Sequence, residues 1–116
     1  PALVLADIKG KYKTNKDPVE LRERVNTDPV NLSPYHQLKS RIPPTIIFHG
    51  KVDEKVPYET AELFTARAGR KSRVELHGYE GQGHGFFNVS HSKGEYFRKT
   101  MKTLDTFLVS LGYLDP

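Results

Sequence analysis

The stretch "PPTIIFHGKVDEKVPYETAELF", Pro43 to Phe64, decides the fold. Two prolines close whatever precedes it. "TIIFHG" (Thr45 to Gly50) is then a short continuous apolar run, the pattern of a strand buried on both faces. "KVDEKVP" is polar and ends in proline, so it reads as a loop. In "YETAELFTARAG", Ala61, Phe64 and Ala68 share one helical face and Gly69 is the stop. "RVELHGY" (Arg73 to Tyr79) alternates more strongly and suits a strand nearer a sheet edge. Strand, helix and strand joined by a crossover of roughly twenty residues imply a parallel pair with helices covering the sheet.

Working outward, "ALVLAD" (Ala2 to Asp7) is a second continuous apolar run and predicts another buried strand. A polar excursion follows from Ile8 to Ser33. Inside it "DPVELRERV" predicts one short helix, with Asp17 as cap and Pro18 in the first turn. "SPYHQL" (Ser33 to Leu38) predicts a single turn. At the other end, Ser92 and Glu95 form a capping box. Phe97, Met101, Leu104, Leu108 and Leu111 then recur at helical spacing up to Gly112, with Tyr113 and Leu114 placed to pack back. The expected class is α/β, with three mostly parallel strands and flanking helices in one domain over residues 1–116. No repeat or low-complexity tract interrupts it.

The chain has 116 residues, a net charge of +4 and a pI near 9.3. Basic residues are mixed with Asp and Glu. Their densest group, "RAGRKSR" (Arg67 to Arg73), falls at an expected helix C-terminus, where cations complement the dipole. Nucleic acid is therefore not the expected partner. There is no cysteine, which removes disulfides and thiolate metal sites and decides no compartment. No apolar run approaches the ~20 residues of a membrane span, and no signal peptide is expected from these residues. Pro1 leads straight into a core-like strand, the start expected of a chain cut from a longer one or of one whose initiator Met is removed before Pro.

In open parallel sheets the working residues lie on loops at the carboxyl ends of strands. Two such loops exist, "KVDEKVP" and "EGQGHGFF". Neighbouring strands lie about 4.8 Å apart, so loops of similar length bring Asp53 and His84 within side-chain reach. A carboxylate accepting from one imidazole nitrogen fixes the tautomer and raises the basicity of the other. Gly83 and Gly85 allow a tight loop that projects the imidazole. Each residue taken singly reads as a turn residue, and Asp53 also as a helix cap; the pairing raises the chemical reading above that. Glu54 and Glu80 are the alternative carboxylates. His49 reads as a packed histidine that orients the acid loop. His36, His77 and His91 have no convergent partner in the sequence, and no His pair has metal-ligand spacing.

These residues carry a resemblance. "PPTIIFHGKVDEKVPYETAELF" followed by "VELHGYEGQGHGFFN" resembles the C-terminal part of an α/β-hydrolase, in its esterase and acyl-peptidase branches, with acetyl-esterase-like and lipase-like enzymes nearest. The likeness covers Pro44 to Leu114, with "ALVLAD" in the place of the fold's sixth strand and residues 8–33 as a variable or cap-like insertion. It implies a serine carboxylester hydrolase acting on small esters, without cofactor or metal. Asp53 matches the acid and His84 the base of a Ser-His-Asp triad. The pattern departs at one point: the nucleophile elbow G-x-S-x-G does not occur. Ser33, Ser40, Ser72, Ser90, Ser92 and Ser110 stand on no glycine-flanked strand-to-helix turn. Nucleophile and oxyanion hole are thus expected outside the 116 residues, and the chain alone is expected to be inactive. Its expected partner is the missing N-terminal part of the same hydrolase, or a second copy at an exposed sheet edge. The alternatives are an acyl- or dipeptidyl-peptidase-type hydrolase and a non-catalytic α/β interaction module.

Overall fold

The structure, a computed structural model, describes residues 1–14 and 16–116. Asn15, within the polar excursion, lies outside the described residues. The elements run α1 (Pro18–Val25), a 3-10 turn (Pro29–Leu32), β1 (Thr45–Gly50), α2 (Tyr58–Ala68), β2 (Val74–Tyr79), a second 3-10 turn (His91–Gly94) and α3 (Glu95–Ser110). β1 and β2 pair directly. Thr45 N–H donates to Arg73 at one end and Lys51 N–H to Tyr79 at the other, a constant offset that makes the pair parallel.

The chain divides into two compact units, Pro1–Thr45 with Glu59–Glu75, and Ile46–Tyr58 with Leu76–Pro116. In the first, Val4, Tyr35, Ala61, Phe64 and Ala68 are buried. The apolar face read from α2 is thus the face it buries. Asp17 Oδ1 accepts from Val19 N–H and starts α1 as expected. The Arg67 guanidinium lies 4.7 Å from the Tyr35 ring centre and donates to the Leu38 carbonyl, fixing the turn after Ser33.

In this unit the expected strand at Ala2–Asp7 does not form. Among the described residues its backbone finds no strand partner. Leu5 N–H donates to Ser33 Oγ and the Leu3 carbonyl accepts from Tyr35 N–H. An apolar run becomes a strand only when a neighbour offers a ladder. Here a loop takes those bonds, and the sheet has two strands where three were expected. The α/β class with a parallel pair and flanking helices stands.

In the second unit Ile47, His49, Phe86, Thr100 and Phe107 are buried. The capping box at Ser92 is also corrected. Ser92 and Lys93 take left-handed backbone (φ 47° and 55°), Gly94 follows at φ 77°, and α3 begins only at Glu95. With Glu95 as the first helical residue, Ser92 stands two residues before the cap position and Glu95 is not at the third position of a capping box. Three left-handed residues turn the chain instead, and Gly94, which has no Cβ to clash, takes the cap position. Arg98 donates to the Lys93 carbonyl and Glu95 pairs with Lys99 at 3.0 Å. At the other end the expectation holds. Gly112 (φ 80°) donates to Val109 and Tyr113 donates back to Leu108, the paired bonds of a Schellman motif. The expected stripe of α3 is not its buried face: Thr100 and Phe107 are buried, Leu104, Leu108 and Leu111 are half-buried, and Phe97 and Met101 remain 38% and 41% exposed.

Candidate active site

The site is built where β1 and β2 end, within the second unit. Past Gly50 the ladder continues for one more rung, Val52 N–H to the Gln82 carbonyl at 3.0 Å. The loop after β1 is therefore stitched to the loop after β2. The backbones approach so closely that a Cβ on Gly50 would meet the Gln82 carbonyl oxygen and stand 2.6 Å from that of Gly83. Only glycine fits there.

Asp53 closes its own loop. Its Oδ1 accepts from the Lys55 and Val56 N–H groups, both at 2.9 Å, which pins the side chain as an Asx turn does. Oδ2 is left to face His84, whose Nδ1–H donates to it at 2.9 Å. The carboxylate is an acceptor only, so Nδ1 carries the proton and Nε2 is the free basic nitrogen. Asp53's side chain is 5% exposed and that of His84 49%. One end of the pair is dry and the other open.

The base loop is held from both sides. Gln82 N–H returns to the Tyr79 carbonyl, and Gly81 and Gly85 have φ of 69° and 76°. Phe86 is 2% exposed, with its ring centre 4.9 Å from Tyr79 and 5.9 Å from Tyr96. His84 thus projects from between a permissive glycine segment and a buried anchor. Burial alone would raise the Asp53 pKa. The Val56 N–H, the His84 imidazole and the Lys55 N–H together outweigh it and hold the carboxyl below its ordinary 3.8. Asp53 therefore stays charged wherever His84 can act as a base.

The sequence left Glu54 and Glu80 open as acids. Glu80 is taken by Lys51 at 2.7 Å, and Glu54 sits exposed beyond Asp53. His49 is packed as expected, 2% exposed, donating from Nδ1 to the Gly50 carbonyl and edge-on to Tyr58. His77 lies beside Phe48. Two histidines have partners that the sequence did not disclose. His91 contacts Gln82, and His36 contacts Ser33 Oγ at 2.7 Å and the Asp7 carbonyl. The Ser33–His36 pair looks like a nucleophile and base, but Ser33 is fully buried and its hydroxyl also accepts from Leu5 N–H. It is a structural clip. Its other ends, Leu5 and Asp7, lie 28 and 29 residues away in sequence and leave no local signal. Ser72 accepts from Ile42 N–H and Ser110 donates to Phe107. Among the described residues no group of three or more His, Asp or Glu side chains could hold a metal, and no helix is long and apolar enough to cross a membrane.

A parallel pair with a helical crossover, and an acid and a histidine on the loops at its carboxyl ends, define part of an α/β-hydrolase fold. Comparison with known proteins narrows the class. The sequence profile of the prolyl oligopeptidase family matches residues 8–109, and the chain belongs to that family. Among solved structures it is similar to a thermophilic esterase from the planctomycete Thermogutta terrifontis. The native form matches at 40% identity and a TM-score of 0.88, over 100% of this chain and 41% of the other. The same esterase phosphonylated by sarin matches at 39% identity and 0.91, over 100% and 43%. Its butyrate-bound form matches at 39% identity and 0.87, again over 100% and 43%. The chain thus spans about two-fifths of the length of these esterases. A search among curated proteins found no significant match.

Proposed function

We propose that the chain is the C-terminal portion of a serine carboxylester hydrolase and that Asp53 and His84 are the acid and base of its triad. The observation that carries this reading is the 2.9 Å bond from His84 Nδ1 to a buried, otherwise saturated Asp53, which leaves Nε2 bare and half-exposed. The similarity to an esterase supports the ester class. The nucleophile is a serine hydroxyl from outside the 116 residues. The sequence holds no nucleophile elbow, and among the described residues no hydroxyl bonds to His84 Nε2.

In this scheme the serine Oγ attacks the ester carbonyl as its proton passes to Nε2. Asp53 holds the ring and stabilises the imidazolium. Nε2–H then protonates the leaving alcohol, and water activated by the same nitrogen releases the acid. The oxyanion donors also come from outside the chain. Residues 8–33 are a variable, cap-like insertion within the partial hydrolase domain.

A second reading, peptide-bond hydrolysis, is favoured by the family to which the chain belongs. It uses the same residues and differs only in the leaving group. The test is to assay the full-length gene product on p-nitrophenyl butyrate and on a dipeptidyl p-nitroanilide, and to label it with a fluorophosphonate. We expect ester turnover and one label per chain. Turnover of the anilide alone overturns the ester assignment, and absence of both label and turnover overturns the serine-hydrolase reading. The 116 residues alone should neither turn over nor label.

A further inference from the structure

We infer that Gln82 is the positioning residue that keeps the His84 loop in register with the Asp53 loop, with Tyr96 of α3 as its fixed post. Its role in catalysis rests on the hydrolase reading; its role in holding the Asp53–His84 bond does not.

Gln82 is tied at every polar group it has. Its N–H donates to the Tyr79 carbonyl at 3.3 Å, and its carbonyl accepts from Val52 N–H at 3.0 Å. Its side-chain Oε1 accepts from His91 Nε2–H at 3.0 Å. Its Nε2 donates to Tyr96 Oη at 3.1 Å and reaches the Glu80 carbonyl at 3.5 Å. One residue therefore joins the end of β2, the acid loop, the 3-10 turn at His91 and the first turn of α3. A glutamine in a glycine-rich loop would otherwise be solvated and free to rotate.

Its place in the chain gives these bonds their consequence. Val52 immediately precedes Asp53, and Gln82 is two residues before His84. The Val52–Gln82 rung thus stands directly behind the Asp53–His84 bond. Displacing Gln82 displaces that rung and the imidazole together. Gly81 lies immediately before Gln82 in the left-handed region, and Gly83 immediately after has no atom within 4 Å of a Cβ built on it. Apart from these bonds, the main chain here is held by the close approach of the Gln82 and Gly83 carbonyls to Gly50. Packing beneath the loop begins only at Phe86.

Tyr96 can act as a post because its half-buried ring is packed against three others. Its ring centre lies 6.0 Å from that of Tyr79, 5.9 Å from Phe86 and 6.2 Å from His91, with Lys99 Nζ at 4.8 Å. The contacts with Tyr79 and Phe86 are edge-to-face, at 90° and 78°, an arrangement that aromatic pairs prefer. The hydroxyl that receives Gln82 is accordingly held still. Because His91 donates from Nε2, the contact survives in both the neutral and the protonated ring.

The test uses the full-length protein, with Gln82→Ala and, as a milder change that deletes one hydroxyl, Tyr96→Phe. Two readouts are taken: the low-field proton resonance of His84 Nδ1–H, and kcat with KM for p-nitrophenyl butyrate. In the parent we expect a resolved low-field resonance. Gln82→Ala should lose it to solvent exchange and lower kcat about 10- to 100-fold, with KM within about twofold. Tyr96→Phe should broaden it and give a smaller fall in kcat. If both variants keep the resonance and kcat within twofold, the inference is overturned even where melting temperature drops. A parent spectrum without the resonance overturns it too. If the resonance is present and Gln82→Ala removes it, but the parent hydrolyses nothing, the positioning role stands and the hydrolase reading fails.

Discussion

At Gly50 the absence of a side chain decides the site. The Gln82 and Gly83 carbonyls occupy the space of its Cβ. Backbone cannot swing aside as a side-chain tip can, so Gly50→Ala must push the two loops apart. We expect it to cost about 2 kcal/mol or more in denaturant unfolding of the full-length protein and to abolish the Asp53–His84 bond. A loss under 0.5 kcal/mol would mean that the loops do not meet there. Asp53→Asn keeps the shape but permits the wrong imidazole tautomer, and kcat should fall by about 10⁴ with little change in KM. Asp53 also links folding to pH. Its native pKa lies below the unfolded value near 3.8, so its contribution is complete above that pH and drains away as pH falls through the lower native value. Urea midpoints compared between pH 6 and pH 3 should therefore fall less in Asp53→Asn than in the parent. The Asp53–His84 pair was legible in the sequence because it follows from strand order and loop length. The need for glycine at 50, the bonds from Leu5 and Asp7 to the Ser33–His36 clip and the bonds of Gln82 to Val52, His91 and Tyr96 were not, since each depends on the approach of another segment of the chain.

At the scale of elements, local rules held for α1, α2 and the end of α3. Asp17 caps α1, Ala61, Phe64 and Ala68 face inward on α2, and Gly112 ends α3. Gly112→Ala should cost about 1 kcal/mol, because φ of 80° strains any residue with a Cβ. The rules failed at Ala2–Asp7 and at Ser92. "ALVLAD" has the composition of a strand, yet its described backbone bonds go to Ser33 and Tyr35. Ser92 has the spacing of a cap, yet its backbone is left-handed. The two accounts of Ser92 differ in sign. Ser92→Gly costs a few tenths of a kcal/mol if Ser92 is a cap, but should raise stability by roughly 0.5–1 kcal/mol if it is a strained turn residue. Thermal unfolding separates them.

At the scale of the whole molecule, the chain spans about two-fifths of the esterases it resembles, and its surface is consistent with being one part of such a fold. Among the described residues β1 and β2 each have one strand neighbour, and parallel strands make poor edges. Phe97, Met101, Phe87 and Val89 expose large apolar side chains in the second unit. The 116 residues expressed alone should therefore self-associate or unfold without a sharp transition. A dilute, sharply melting monomer on gel filtration would contradict this. The central claim is that His84 is the base of a serine hydrolase. Its most direct test is the rate of p-nitrophenyl butyrate hydrolysis by the full-length protein and its His84→Ala variant. The account predicts a fall in kcat of at least about 10³ in a variant that still folds; full activity in that variant would contradict it.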